Sequence, residues 1–566
     1  MRELVLVFVL VFAGSRAHAQ SREPTRVLRQ VTLDLADRPP TDAEYQAALA
    51  GGALDDAIDR LLTSREHLDV LREYHRALLQ DTLAQLPQLA AVANVLAPAR
   101  PRMGSDAPWF GRAAARFRRG AVQLSCADVR HDRFAPDGSA IPLADAWAQG
   151  ASVTNAAGDT SSTIFFGGGA SCTTASPCRM DGWVEVAPYW DPSTTIRVCA
   201  FDAQTTASGV GIGGRPLSCD PRDPANPNGA APSPSCGCGE HLAFCVPAAQ
   251  TPAGQILRAS IEDEPLHVFE DVITQRHDYF DALTTRDSFV NGALATYLRA
   301  TGGGVVFDVG AEIPALPYDA DWTRITRGPA HSGVLTTMAY LARFTSQRGR
   351  AQRFRQAFRC EEFASITLPP TEAHPPLDLA QRAGCNGCHA ALEPLTQHFA
   401  RFRINLDYGL IDDGSGTYQT LSRSGTNPFA DRCGVCGRRG GPCPPYCDLY
   451  YFTQHTTPED DRTHVGELQT TAFDWGQPGM DDDRARFDGG PAALVRAGLV
   501  REGDDPSIVE ACAIRTRAES LLHRPLTDDE RARWVPQLLA AFTASGAHDF
   551  LALERAIVRD PRYRGD

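Results

Sequence analysis

The chain has 566 residues, which at about 150 per domain allows three to four domains, and 43% of them are hydrophobic, enough for real cores. It contains no lysine, so all 55 Lys and Arg positions are arginine, which excludes pyridoxal Schiff-base chemistry, a P-loop lysine and a kinase-type phosphate lysine. A formal net charge of -14 argues against a general nucleic-acid binder, which needs a basic footprint to displace counterions, and is read as acidic solubility.

The first residues are Met1, Arg2 and Glu3, followed by an apolar run over 4–13 and then Ala17-His18-Ala19 before Gln20. A charged start, a short apolar run and small residues at 17 and 19 predict a signal peptide over 1–19, too short to span a bilayer. No other apolar stretch reaches membrane length, so the expected mature chain has no integral membrane segment and is periplasmic or secreted.

Residues 20–103 predict an N-terminal helical domain. Thr41 and Glu44 have capping-box spacing, and 54–62 repeats its apolar residues with a period near 3.6. The phrase Arg38-Pro39-Pro40-Thr41-Asp42-Ala43-Glu44 returns as Arg524-Pro525-Leu526-Thr527-Asp528-Asp529-Glu530. Each copy leads into helical pattern and then a charged amphipathic segment. A divergent helical repeat bracketing the chain is one reading, and two independently well-capped helix starts the other.

Residues 104–250, rich in Gly, Ser, Thr, Pro and Cys, predict an inserted disulfide-rich β domain. The runs 183–190 and 194–201, separated by Asp191-Pro192-Ser193, read as a hairpin with Pro188 at an edge or bulge, and 221–235 as a long irregular loop. Helical texture resumes over 251–410, where Val334, Leu335, Met338, Leu341 and Ala342 share one helical face and Phe354, Ala357 and Phe358 the next. A Cys-rich loop region over 411–475 precedes a C-terminal helical domain at 476–566.

Sixteen cysteines in an exported chain point first to disulfides. With Cys385 and Cys388 set aside, an even number remains and full pairing is allowed. Those two stand apart because Cys385-Asn386-Gly387-Cys388-His389 is a C-x-x-C-H, expected by chance about 0.01 times in this composition. Two thiols one turn apart can reach the two vinyl groups on one haem edge, and the next residue presents an imidazole to the iron. One covalent haem c is therefore expected, with Cys385 and Cys388 as thioether anchors and His389 as proximal iron ligand. A redox-active dithiol, a zinc half-site and a structural bridge are the alternatives.

For the distal side, Met480 is a candidate iron ligand because its Gln477-Pro478-Gly479 loop can bring a thioether over a haem anchored upstream. His398, His331 and an open iron compete with it, Met338 is read as core, and Pro394 is expected to interrupt the helix between His389 and His398. Methionine would mean electron transfer, whereas an open site permits peroxide or gas chemistry. Arg348, Arg350, Arg353, Arg355 and Arg359 read either as partners for haem propionates or as a solvated helix face. Cys433, Cys436, Cys443 and Cys447 fit two disulfides better than a zinc knuckle in an exported chain, as does the cluster Cys236, Cys238, His241 and Cys245. Asp481, Asp482, Asp483 and Asp488 lack the register of a calcium loop. No H-E-x-x-H, G-x-S-x-G or dinucleotide fingerprint occurs.

With these residues in place, the chain resembles the planctomycete-type cytochrome c families, exported bacterial proteins of unknown function with a single C-x-x-C-H. The matching phrases are 28–44, Asn291-Gly292-Ala293-Leu294 with Tyr297 and Arg299, 332–344, 353–360, 385–394 and 522–530, and Glu393-Pro394 keeps the acid-Pro step that typically follows the motif. The resemblance implies haem c at Cys385 and Cys388 with His389 ligated, electron transfer and a helical scaffold. It implies no substrate and no distal ligand.

The expected fold is multidomain and mainly α, a helical bundle with a c-type haem site and the inserted β domain. The expected function is that of an exported c-type cytochrome-like protein serving an unknown redox partner. The alternatives are a haem peroxidase with an open distal site, and a haem-free surface-binding or structural protein whose β insert meets a surface polymer or protein partner.

Overall fold

Val27, Leu28, Val31 and Leu35 recur on one helical face, and all four are buried in the helix Pro24–Ala36. Further helices run over Asp42–Leu49, Leu54–Leu62 and Arg65–Leu79 near the start of the chain, and over Ile508–Leu522, Asp528–Phe542, Phe550–Arg559 and Pro561–Arg564 near its end. The computed structural model describes residues 24–50, 54–83, 95–99, 109–112, 126–130, 153–154, 160–161, 181–199, 202–203, 208–210, 216–218, 237–300, 313–362, 383–399, 402, 480–503 and 505–565. These are mainly helical with a small sheet. The predicted signal peptide, the 221–235 loop and the 411–475 region lie outside the described residues.

The chain divides into two compact units, one formed by residues 1–74 with 513–566 and the other by 75–512. In the first, the ends of the sequence share a core: Ile58, Leu61 and Leu62 from one side of the chain, Trp534, Val535, Leu538, Phe542, Leu553 and Ile557 from the other. Each such burial stabilises by about 1.5–3 kcal/mol relative to exposure.

The repeated phrase builds the same local structure twice in this unit. Thr41 Oγ1 accepts from the Glu44 N–H at 3.3 Å while the Thr41 N–H donates to Glu44 Oε2 at 2.6 Å. Thr527 and Glu530 do the same at 3.2 and 2.8 Å. In each copy the arginine grips that glutamate with both terminal nitrogens, Arg38 at 2.9 and 3.0 Å and Arg524 at 2.8 and 2.6 Å. The arginine bond first, and then the threonine, hold the Glu44 and Glu530 carboxyls down at about 2, against a smaller opposing effect of burial. Just before the arginine, Asp37 and His523 each adopt a left-handed backbone, with φ of 49° and 52°. A capping box requires only the threonine and the glutamate. The shared fork and left-handed residue go beyond that, so the two phrases are a structural repeat.

In the second unit, the hairpin is present as antiparallel strands Asp181–Val186 and Ile196–Cys199, with Trp183 opposite Cys199 and Val186 opposite Ile196. Pro188 lies beyond the strand, where its missing N–H costs no ladder bond. The six-stranded sheet has the order Val246–Pro247, Val95–Ala99, Trp109–Arg112, Ile196–Cys199, Asp181–Val186, Cys126–Arg130. Three of its pairings are parallel. Val95–Ala99 begins this sheet on the N-terminal side of residue 104, where sequence texture placed the start of the β insert. Leu96, Val184, Val186, Val198 and Leu242 form its core with the disulfide Cys238–Cys245.

The helical part of the unit is organised by Pro252–Thr274, capped by Thr251, whose hydroxyl accepts from the Gly254 N–H at 3.0 Å. Its buried Glu264 accepts from Ser288 at 2.6 Å, from Arg327 at 3.2 Å and from the Met338 N–H at 3.3 Å. Leu257, Ile261, Val290, Leu294, Tyr297, Met338 and Leu341 pack together, so Met338 is core. The apolar face read over 334–342 is not one helix but a 3-10 turn, Gly333–Thr336, followed by the helix Met338–Arg343. Gly333 explains the change: its φ is 46°, and a Cβ there would lie 1.9 Å from the Ala282 carbonyl oxygen. A second disulfide, Cys360–Cys512, closes a sequence separation of 152. Among the described residues no helix is long and apolar enough to cross a membrane.

Candidate functional site

Gly384, with φ of 77°, turns the chain into the helix Asn386–Thr396, and Cys385 is its N-cap. The His389 N–H donates to the Cys385 carbonyl at 3.0 Å, so both thiols and the imidazole sit on the first turn. Cys385 is buried and Cys388 half-buried, and both are free thiols. Cys199, Cys238, Cys245, Cys360 and Cys512 are all disulfide-bonded.

The helix does not break at Pro394 as the sequence suggested. It runs through the proline to Thr396 and tightens into a 3-10 turn, Gln397–Phe399. Proline removes only its own N–H from the ladder, and the tighter turn reorganises the end.

His389 Nδ1 and Glu393 Oε1, one turn apart on this helix, are hydrogen-bonded. Arg348, from the helix Gln347–Phe358 packed alongside, donates from Nε to the same oxygen at 2.7 Å. Burial alone would raise the Glu393 carboxyl, but the Arg348 charge and the bonds from His389 and Arg348 outweigh it and leave the carboxyl below its ordinary range. An ionised Glu393 only accepts, so His389 donates to it from Nδ1, and Nε2 is the ring nitrogen outside this bond.

The other four arginines are bonded elsewhere. Arg350, fully buried, donates to the carbonyls of Phe344, Phe402 and Leu341 at 2.8, 3.0 and 3.1 Å. Arg353 donates to the Leu79 carbonyl at 3.1 Å and to Gln80 Oε1 at 3.1 Å. Arg355 and Arg359 both bond Glu361. Of the five arginines that the sequence left between propionate partners and a solvated face, Arg348 bonds the motif helix.

Met480 opens the helix Met480–Gly498, whose backbone packs against the Gln397–Phe399 turn and the motif helix; its side chain lies outside the described residues, as do those of Asp481, Asp482, Asp483 and Asp488. His398 is buried, with Nδ1 donating to the Gly490 carbonyl at 2.9 Å, and burial pushes it down to about 4, so it is neutral. His331 is buried in a different setting, 2.8 Å from Thr336 Oγ1. Cys236, Cys433, Cys436, Cys443 and Cys447 lie outside the described residues. For the remaining cluster members, Cys238 and Cys245 are bridged to each other and His241 Nδ1 donates to the Ala187 carbonyl at 3.0 Å. Among the described residues no group of three or more His, Cys, Asp and Glu side chains is arranged to hold a metal ion.

Three buried polar atoms near the motif have no hydrogen-bond partner among the described residues: Glu393 Oε2, Gln347 Nε2 and Gln397 Oε1. They belong to segments that pack on one another, and such atoms cost about 1–3 kcal/mol each when unmet. The role of Glu393 towards His389 was missed from sequence, although their spacing of four on a helix is the signal for it. The chain matches no protein-family model, no curated protein and no solved structure.

Proposed function

We propose that the protein is an exported c-type cytochrome that carries one haem c on Cys385 and Cys388, with His389 as its iron ligand, and serves one-electron transfer. The observation that carries this reading is the state of the cysteines: the two thiols of the C-x-x-C-H are free while Cys199, Cys238, Cys245, Cys360 and Cys512 are bridged. Oxidising export pairs accessible thiols, and a pair reserved for thioether bonds is the exception that haem attachment requires.

The donor set fits the group. Both sulfurs and the imidazole lie on one turn, Nδ1 is already engaged by Glu393, and Nε2 remains as the nitrogen that can meet iron. The unmet atoms of Glu393, Gln347 and Gln397 beside this helix are consistent with a partner that the protein alone does not supply. Bound haem would supply a one-electron Fe(III)/Fe(II) couple. This chain would anchor it through two sulfurs, orient the imidazole through Glu393, and hold the helix against Gln347–Phe358.

Met480 remains a candidate distal ligand beside an open iron, and the resemblance to the planctomycete-type cytochrome c families supports the haem reading through the motif residues alone. The two disulfides fit a periplasmic or secreted protein. With this reading goes an unidentified redox partner, and a surface polymer or protein partner for the β sheet.

The test is a haem stain on a denaturing gel after expression with a haem-c maturation system. The wild-type chain should stain, and Cys385→Ala with Cys388→Ala should not. Covalent haem retained by the double variant, or none on the wild type, would overturn the assignment.

A further inference from the structure

We infer that Glu393, anchored by Arg348, is a positioning residue that makes His389 a strong electron donor through Nε2, so that the haem operates at a low reduction potential; this rests on the haem reading above.

His389 and Glu393 are four residues apart on one helix, so the helix itself holds the carboxylate against the ring. Arg348 comes from another helix and bonds the same oxygen at 2.7 Å, fixing the carboxylate from its far side. Side-chain exposure of Glu393 is 6%, so water does little to dilute the contact. Its second oxygen has no partner among the described residues, and the bonds from His389 and Arg348 both run to Oε1.

A carboxylate accepting from Nδ1–H draws that hydrogen away from the ring, raises the basicity of Nε2 and fixes the ring orientation. With haem held by His389, a more basic Nε2 would favour the more positive iron state and so lower the potential. Arg348 acts in the opposite sense, because its positive charge on the shared oxygen withdraws electron density from the carboxylate. Glu393 and Arg348 are therefore expected to move the potential in opposite directions, which a purely structural pair would not do.

The experiment uses the full chain made with a haem-c maturation system, comparing wild type, Glu393→Gln and Arg348→Gln by spectroelectrochemical titration, with covalent haem checked on a denaturing gel. The expected result is a higher midpoint potential in E393Q and a lower one in R348Q. An unchanged or lower midpoint in E393Q, with haem attached, overturns the inference and leaves the haem reading standing. If E393Q does not fold, R348Q decides: a lower midpoint supports the inference, and an unchanged or higher one overturns it. A wild-type chain without covalent haem overturns the haem reading, and the inference falls with it.

Discussion

His67 Nε2 and Glu554 Oε2 lie 2.7 Å apart with both side chains fully buried, although 487 residues separate them in sequence. The other ring nitrogen, Nδ1, is 3.1 Å from the Leu35 carbonyl. Each ring nitrogen of His67 thus meets one oxygen. Arg517 completes the group, donating from Nε to Glu554 Oε1 at 2.7 Å, with its guanidinium 4.7 Å from the centre of the Tyr74 ring. Burial pushes the Glu554 carboxyl up, and the charges and hydrogen bonds of Arg517 and His67 pull it further down, to about 2. One carboxylate thus ties the early helices of this unit to the late ones.

Glu554→Gln should cost about 3–5 kcal/mol, because it leaves the buried Arg517 guanidinium without its anion and disturbs the bond to His67. The sign of the pH effect follows from the depressed carboxyl. Its contribution is complete above the unfolded value of about 4.3 and fades as pH falls towards about 2. Amide exchange of the helices Asp528–Phe542 and Phe550–Arg559 against urea, from pH 7 to pH 3, should show an acid-sensitive wild type and a variant that is weaker at pH 7 and less acid-sensitive. Equal acid sensitivity in both would contradict the role given to Glu554.

The repeated caps should behave as equals. Thr41→Ala and Thr527→Ala are each expected to lose about 1 kcal/mol, while Arg38→Gln and Arg524→Gln lose less because those ion pairs are partly solvated. Urea midpoints of the four variants check this. A cost confined to one copy would mean that the shared geometry is not shared energetics.

What the sequence disclosed was mostly local. Thr41 with Glu44 and Thr527 with Glu530 are separated by three residues, so their caps could be read directly, and the Trp183 hairpin was legible from its turn residues. The meeting of His67 with Glu554, and the parallel pairing of Val95 with Val246, depend on long-range packing that no short window encodes. At the candidate site the thiols and His389 were legible from spacing. The arginines at 350 and 353 were not, because a charged residue that spends its donors on buried carbonyls looks in sequence like one on a solvated face.

The Cys360–Cys512 bridge closes a long loop, so its removal should be costly. With a separation of 152, the chain-entropy relation gives about 5 kcal/mol, and native proteins typically lose about 2–5. Cys360→Ser with Cys512→Ser should lower the urea midpoint, and mild reduction of the wild type should reproduce the loss. A double variant as stable as the wild type would show that the packing of Gln347–Phe358 holds these segments without the bridge.

The central claim is tested most directly by mass spectrometry of the intact chain and of its 383–399 region, taken from protein made with a haem-c maturation system. The expected result is one haem per chain, carried by the peptide holding Cys385 and Cys388 and attached through both sulfurs. The same peptide recovered without porphyrin, its two thiols free or joined to each other, would contradict the account.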